Sequence, residues 1–289
     1  MVPESLRDIK RRIRSVQNTQ QITKAMEMVA AARLRRVQAK VHSLRSYLSK
    51  MEKDLSLLLS RVSKDFSHPL LSLPPQREKS KIALIVISSE RGLCGGYNSN
   101  LIRSTTDFLK SLDGKKANLM VAGRKANNFL ERSAYKERVQ RLEVSIIPVY
   151  KELRLLVPRI VKSYREGEFE EVDVLWTKFI STPRHEVMIK KYLPVEVNLP
   201  EEKDEGYIFE PAGEKMLDDL LSLLLGGQIY QFFLESKASE EASRMISMRA
   251  ATDNASDMID NLTLSYNKAR QAGITRELLE VVSGAEALK

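Results

Sequence analysis

Residues 90–100, ERGLCGGYNSN, set Gly92, Gly95 and Gly96 just ahead of a stretch with helical spacing. A loop of that kind can turn backbone N–H groups toward a phosphate. The spacing is neither G-x-G-x-x-G nor a P-loop, because no Gly-Lys-Ser/Thr follows. We read it as a structural or contact loop, with phosphate binding as the alternative. Cys94 lies inside it, and a nucleophilic thiol needs a base that no neighbouring histidine supplies. It reads as a small packing residue. His42, His68 and His185 are scattered without ligand spacing and read as surface or linker residues. A single cysteine permits neither an internal disulfide nor a cysteine cluster for a metal. Two basic groups, Lys10, Arg11, Arg12 and Arg14, then Arg33, Arg35 and Arg36, could grip nucleic acid. Aromatic residues make up only 6% of the chain and none interleaves with these arginines, so the solvated face of a helix is the better reading. Neither a cofactor nor a metal is expected.

The elements that carry these residues are marked out by proline. After Pro3 the next proline is Pro69, and the first glycine is Gly92, so residues 4–66 lack both helix breakers. Leu6, Ile9, Ile13 and Val16 begin a heptad stripe that resumes through Leu34, Val37, Val41, Leu44, Leu48, Met51, Leu55, Leu58 and Val62. Between the two runs the seam positions are Gln20, Thr23, Glu27 and Ala30. There the apolar surface moves to a neighbouring stripe of Ile22, Met26 and Val29. One helix of about sixty residues is predicted, its middle facing something other than its usual partner.

The far end repeats the pattern. From Gly213 to Lys289 no proline occurs, and a continuous helix there would run about 115 Å. Met248, Ala251, Ala255, Met258, Leu262, Ser265, Ala269 and Ala272 follow coiled-coil spacing. Beyond Gly273 a second stripe carries Ile274, Leu278, Val281, Ala285 and Leu288. Met26, Met28, Met245, Met248 and Met258 are expected in the seam, and Gly226-Gly227 is the expected bend. Such a helix needs another helix or another chain to cover it.

The middle alternates strand and helix. Lys81–Ser88 is apolar without alternation, as in a strand buried on both faces. Helical spacing follows over Leu101–Leu112, a strand at Asn118–Ala122, a helix over Gly123–Tyr135 and a third strand at Val144–Val149. Lys151–Tyr164 reads as a helix despite Pro158, and Val172–Ile180 and Glu186–Val197 as paired strands, with Trp176 in the core. The fold class is α/β: a small, mostly parallel Rossmann-like sheet beside a long antiparallel coiled coil formed by both termini. The expected division is 1–66 coiled-coil helix, 67–80 linker, 81–205 α/β domain and 206–289 coiled-coil helix.

Charge follows the same plan. The chain carries a formal +9, and residues 1–50 hold twelve Lys or Arg against Glu4, Asp8 and Glu27, whereas residues 214–289 hold eight basic and twelve acidic groups. Ends of opposite sign suit mutual pairing. No run of eighteen apolar residues is present to cross a membrane, and the charged N-terminus shows no secretory signal. A cytoplasmic compartment is the default.

Three stretches in order along the chain resemble the γ subunits of rotary F-type ATP synthases. They are Leu6–Ile13 with ITKAMEMVAAA (residues 22–32), RGLCGGYN (91–98), and residues 250–288 with ATDNA, LTLSYNKARQAGIT and ELLEVVSGAEAL. The resemblance implies a non-catalytic rotor, its coiled coil inside a hexamer of α and β subunits and its foot on the membrane ring of c subunits, with ε beside the α/β domain. It further implies β-subunit contacts at Lys24, Met26, Arg244, Arg270, Gln271, Thr275 and Glu277, and contacts near ε and the c-ring at Tyr207 and Glu210. No dithiol loop lies between the last strands, so thiol regulation of the chloroplast kind is not expected. Gly273 stands where the family often has a larger residue. The implied location is peripheral, on the cytoplasmic face of a bacterial plasma membrane, although a processed organellar chain would read the same. The rival readings are a nucleotide-binding Rossmann-type enzyme and a coiled-coil nucleic-acid-binding protein.

Overall fold

The computed structural model of the chain describes residues 5–61, 68–71, 81–112, 116–144, 150–197 and 213–286. Helix α1 is Leu6–Arg61, and the last helix, α5, is Gly213–Glu286. Ser5 starts α1: its hydroxyl accepts the Asp8 N–H at 3.2 Å, which satisfies one of the amides left over in a first turn. Between the two helices come β1 (Lys81–Ile87), α2 (Tyr97–Ser111), β2 (Lys116–Ala122), α3 (Arg124–Leu130), β3 (Val139–Arg141), α4 (Tyr150–Arg165), β4 (Glu171–Phe179) and β5 (His185–Leu193). The five strands form one sheet in the order β3-β2-β1-β4-β5. All its pairings are parallel except β4 with β5.

The described chain divides into two compact units, residues 31–243 and residues 1–30 with 244–289. In the larger unit the sheet separates two cores. Leu84 and Val86 of β1 join Leu101, Leu119 and Leu130 on the face of α2 and α3, while Ala83, Ile85 and Ile87 join Leu156, Ile160, Leu221 and Phe233 on the other. Alternate β1 side chains thus enter different cores, which accounts for the unbroken apolar run. Arg45 of α1 meets Glu235 of α5 at 2.7 Å, and the Gln228 Nε2 donates to Glu52 Oε1 at 3.0 Å. Numbers rise along one helix as they fall along the other, so the two are antiparallel. The helix α5 runs on through Gly226 and Gly227. A Cβ on Gly227 would lie 2.5 Å from Leu48 Cδ2, so this glycine serves a close approach of α1.

In the smaller unit the Thr23 and Thr252 hydroxyls meet at 2.8 Å, and Glu27 lies 3.9 Å from Arg249, again antiparallel. Ile9, Ala30, Met248 and Ala255 are its buried apolar residues. The seam read from α1 holds at every heptad position from Ile9 to Leu58, each buried or half-buried. In α5, Met248, Ala255, Leu262 and Ala269 face inward as expected. Ala251 is half-buried with them, but the later alternate positions are displaced by one: Ile259, Tyr266 and Gly273 are half-buried, and Met258, Ser265 and Ala272 are exposed. An α-helix advances 3.6 residues per turn, so residues one apart compete for the same edge of a seam, and the bulkier Ile259 and Tyr266 occupy it. Met28 is also outside the seam, 65% exposed.

Other departures are local. Helix α2 begins four residues early because Tyr97 is buried and Asn100 N–H bonds back to Gly96. Helix α3 stops at Leu130, whose carbonyl accepts the Ser133 hydroxyl at 2.7 Å, and the chain turns there. The third strand is Val139–Arg141. Most of the stretch expected in its place, 145–149, lies outside the described residues. His68 is no loose linker residue: it is buried, with its Nε2 3.1 Å from Asp218.

Candidate functional site

Among the residues implicated by resemblance, Lys24 projects from α1 with its ammonium 3.0 Å from Glu27, and Met26 beside it is half-buried. Ile22 and Val29, on the adjoining stripe, are 60% and 50% exposed. Apolar surface is thus displaced from the seam on this segment, as the sequence pattern requires. Arg270, Gln271, Thr275 and Glu277 are exposed together on α5, where the Thr275 hydroxyl donates to the Gln271 carbonyl at 3.0 Å. Thr23 stands opposite Thr252, so these four residues lie about 30 Å along the helix from Lys24. They form two separate patches. Ile274, Leu278, Leu279, Val281 and Val282 are each at least 50% exposed on the same stretch of α5. Arg244 is buried. Tyr207 and Glu210 lie outside the described residues. No Cβ contact would be made by a side chain at Gly273, which opens onto free space.

A second constellation was not anticipated. Residues 235–244, ESKASEEASR, follow the apolar first third of α5, and all of them are buried. Glu235 lies between three elements: its Oε1 accepts from Arg45 Nε at 2.8 Å and from Gln231 at 2.9 Å, and its Oε2 from Trp176 Nε1 at 2.9 Å. The same Arg45 donates to the Phe179 carbonyl at 2.6 Å. Lys237 is held between Glu240 at 2.9 Å and Glu241 at 2.8 Å. Buried charges persist only when paired in this way. Trp176 is therefore both a core residue, with its ring 4.2 Å from Phe232, and a hydrogen-bond donor. The alternation of serine and alanine with paired charges was the available signal, since small polar residues in a long helix allow close approach of another backbone.

The glycine loop is held by this same stretch. Ser243 donates to the Cys94 carbonyl at 2.6 Å, and Asn98 Nδ2 lies 3.1 Å from the buried Cys94 sulfur. Leu93 and Gly95 take left-handed backbone conformations to make the turn. At the next strand end, Gly123 (φ 93°) passes so close to β1 that a Cβ would sit 2.3 Å from the Ser88 carbonyl oxygen. At the start of α2, where the glycine loop would present amides to a phosphate, the Tyr97 N–H is engaged by the Cys94 carbonyl at 3.2 Å. Burial pushes the Tyr97 hydroxyl well above its ordinary range, with the Glu240 carboxylate adding to the effect. The geometry is that of a clamp on α5.

Comparison with known proteins decides the family. The model of the ATP synthase family matches residues 5–288. The ATP synthase gamma chain of Moorella thermoacetica is 43% identical over 285 residues, covering 98% of this chain and 99% of that one. That of Heliobacterium modesticaldum is 40% identical over 297 residues, with the same coverage. The chain belongs to the ATP synthase gamma-chain family. As a member it is a subunit of the rotary ATP synthase complex and not its catalytic polypeptide. The fold is shared with a chain in the Euglena gracilis mitochondrial ATP synthase structure comprising OSCP, F1 and c-ring (TM-score 0.66, 16% identity, 98% of this chain and 94% of that one). It is shared too with one in the central stalk and c-ring structure of the Tetrahymena thermophila enzyme (TM-score 0.56, 21% identity, 80% and 99%). No described helix is long and apolar enough to cross a membrane, and the F1 part of the ATP synthase is a peripheral, membrane-associated complex.

Proposed function

We propose that the chain is the central shaft of an F-type ATP synthase, turning inside a hexamer of α and β subunits and linking the c-ring to the catalytic sites on β. The observation that carries this reading is the smaller unit: a two-helix seam of Thr23, Ala30, Thr252 and Ala255 beside apolar side chains left uncovered at Ile22, Met28 and Val29. A shaft that met three equivalent β subunits identically could bias none of them, because only differential contact shifts a conformational equilibrium. The lopsided apolar surface supplies that difference. Lys24 and Met26 would serve one set of β contacts, and Arg270, Gln271, Thr275 and Glu277 the other, while Arg244, buried within the chain, would act on the first set from behind. Tyr207 and Glu210 would face ε and the c-ring. The functional division is 1–66, 67–80, 81–205 and 206–289, and the location is the cytoplasmic face of a bacterial plasma membrane.

Reconstitution with α and β subunits tests the reading. Steady ATP hydrolysis is expected only when all three chains assemble. An α–β hexamer that takes up none of this chain, or gains no activity from it, would refute the rotor. For the coupling residues, the double substitution Arg270→Ala/Gln271→Ala is expected to lower ion-driven ATP synthesis about tenfold, the size of one lost charge-assisted contact. Unchanged synthesis would remove both residues from the contact set.

A further inference from the structure

In an open parallel sheet, ligands enter the crevice outside the carboxyl ends of the strands, where the strand order reverses. Here that point lies between β1 and β4. From β1 the chain moves outward to β2 and β3, then returns to β4 on the opposite side. The parallel β1–β4 pairing ends at Val86 with Leu175. Beyond it the two strands give up their partnership, and Thr177 would be left with unmatched main-chain groups. The chain's own α5 meets them. Thr177 N–H donates to the Ser236 hydroxyl at 3.4 Å, and the Ser239 hydroxyl donates to the Thr177 carbonyl at 3.1 Å. One turn further on, Ser243 donates to the Cys94 carbonyl in the loop that follows β1. All three serines are buried, and the Tyr97 hydroxyl of α2 closes the space beside Thr177 and Ser236.

Positions 236, 239 and 243 are spaced three and four apart and share one face of the helix. Apolar packing is non-directional and tolerates a small rotation of a helix about its axis, whereas hydrogen bonds to fixed main-chain atoms do not. We infer that Ser236, Ser239 and Ser243 act as a spline, keyed into the crevice where related sheets hold ligands, which fixes the angle of α5 against the sheet. These hydroxyls are positioning residues for torque transfer. The inference rests on the rotor reading, since only a shaft under load needs its angle fixed.

The test uses the complete complex with the hexamer immobilised and a probe on the sheet-bearing unit. In the triple variant Ser236→Ala/Ser239→Ala/Ser243→Ala, ATP hydrolysis is expected to stay within about twofold of wild type, while the angular spread of the stalled probe widens about twofold. ATP synthesis against a load should fall more than hydrolysis. Ser222→Ala, on an exposed face of the same helix, should leave the spread unchanged. A rotating triple variant with wild-type spread overturns the spline and leaves the rotor standing. A wild-type chain that does not turn within the hexamer overturns the rotor reading itself. Should the triple variant fail to assemble, Ser239→Ala alone carries the measurement, and an unchanged spread in it is equally decisive against the spline.

Discussion

Two buried carboxylates act in opposite ways. Asp173 in β4 is 6% exposed, and burial, reinforced by the neighbouring Glu171, pushes its carboxyl from 3.8 up to about 7 against the pull of Lys191. Because the folded state holds this proton more tightly, its contribution is fully present below pH 3.8 and is lost as the pH rises toward 7. Asp173→Asn is therefore expected to raise stability at pH 8 by about 1–3 kcal/mol and to flatten the stability profile between these limits. Denaturant titrations at pH 4 and pH 8 read both effects, and equal stabilisation at the two pH values would contradict the assignment. Glu235 is the contrary case, since it is matched by Arg45 and Trp176. Removing it in Glu235→Leu leaves the buried Trp176 indole N–H without its acceptor, while Arg45 keeps the Phe179 carbonyl, and should cost about 1–3 kcal/mol, measured by thermal unfolding.

Among the elements, the contact between α1 and α5 at Gly227 is the sharpest. Alanine there gains about 1 kcal/mol of helix propensity, but its methyl group meets a Leu48 side chain that is itself buried. A net loss of about 1 kcal/mol is expected for Gly227→Ala, disappearing in a Leu48→Ala background. Additive effects would mean the two residues are not in contact. This element also shows what a sequence can and cannot display. Heptad spacing in α1 identified its seam from Ile9 to Leu58, because large aliphatic residues on either side of Gln20, Thr23, Glu27 and Ala30 fix the phase that runs through them. In α5 Ile259, Tyr266 and Gly273 adjoin Met258, Ser265 and Ala272 on the helix, spacing alone does not show which of two adjacent residues meets a neighbour, and the reading slipped by one there. The same cause hid the clamp: Ser236, Ser239 and Ser243 look like solvent-facing residues until the strand ends they meet are brought beside them by the fold. His68 was missed because its partner, Asp218, is 150 residues away.

For the whole molecule, the contrast in core size between the two units governs how it comes apart. Residues 31–243 bury two cores around a sheet, whereas the smaller unit buries only Ile9, Ala30, Met248 and Ala255 among its described apolar residues. Long helices with so little buried area have low local stability. In the isolated chain, amides of residues 6–25 and 255–285 are expected to exchange at least about a hundredfold faster than those of β1, and to gain protection once α and β subunits are added. Uniform protection along α5 in the isolated chain would show that the exposed Ile22, Val29, Leu278 and Val281 need no cover. The chain has a single tryptophan, and that indole is bonded to Glu235 and packed on Phe232, both in α5. Its emission is therefore a built-in optical gauge of how firmly the helix is seated on the sheet. The smaller unit carries no tryptophan, so a spectral shift of this indole would register strain in the mount, free of any indole signal from the part of the chain proposed to meet the catalytic subunits.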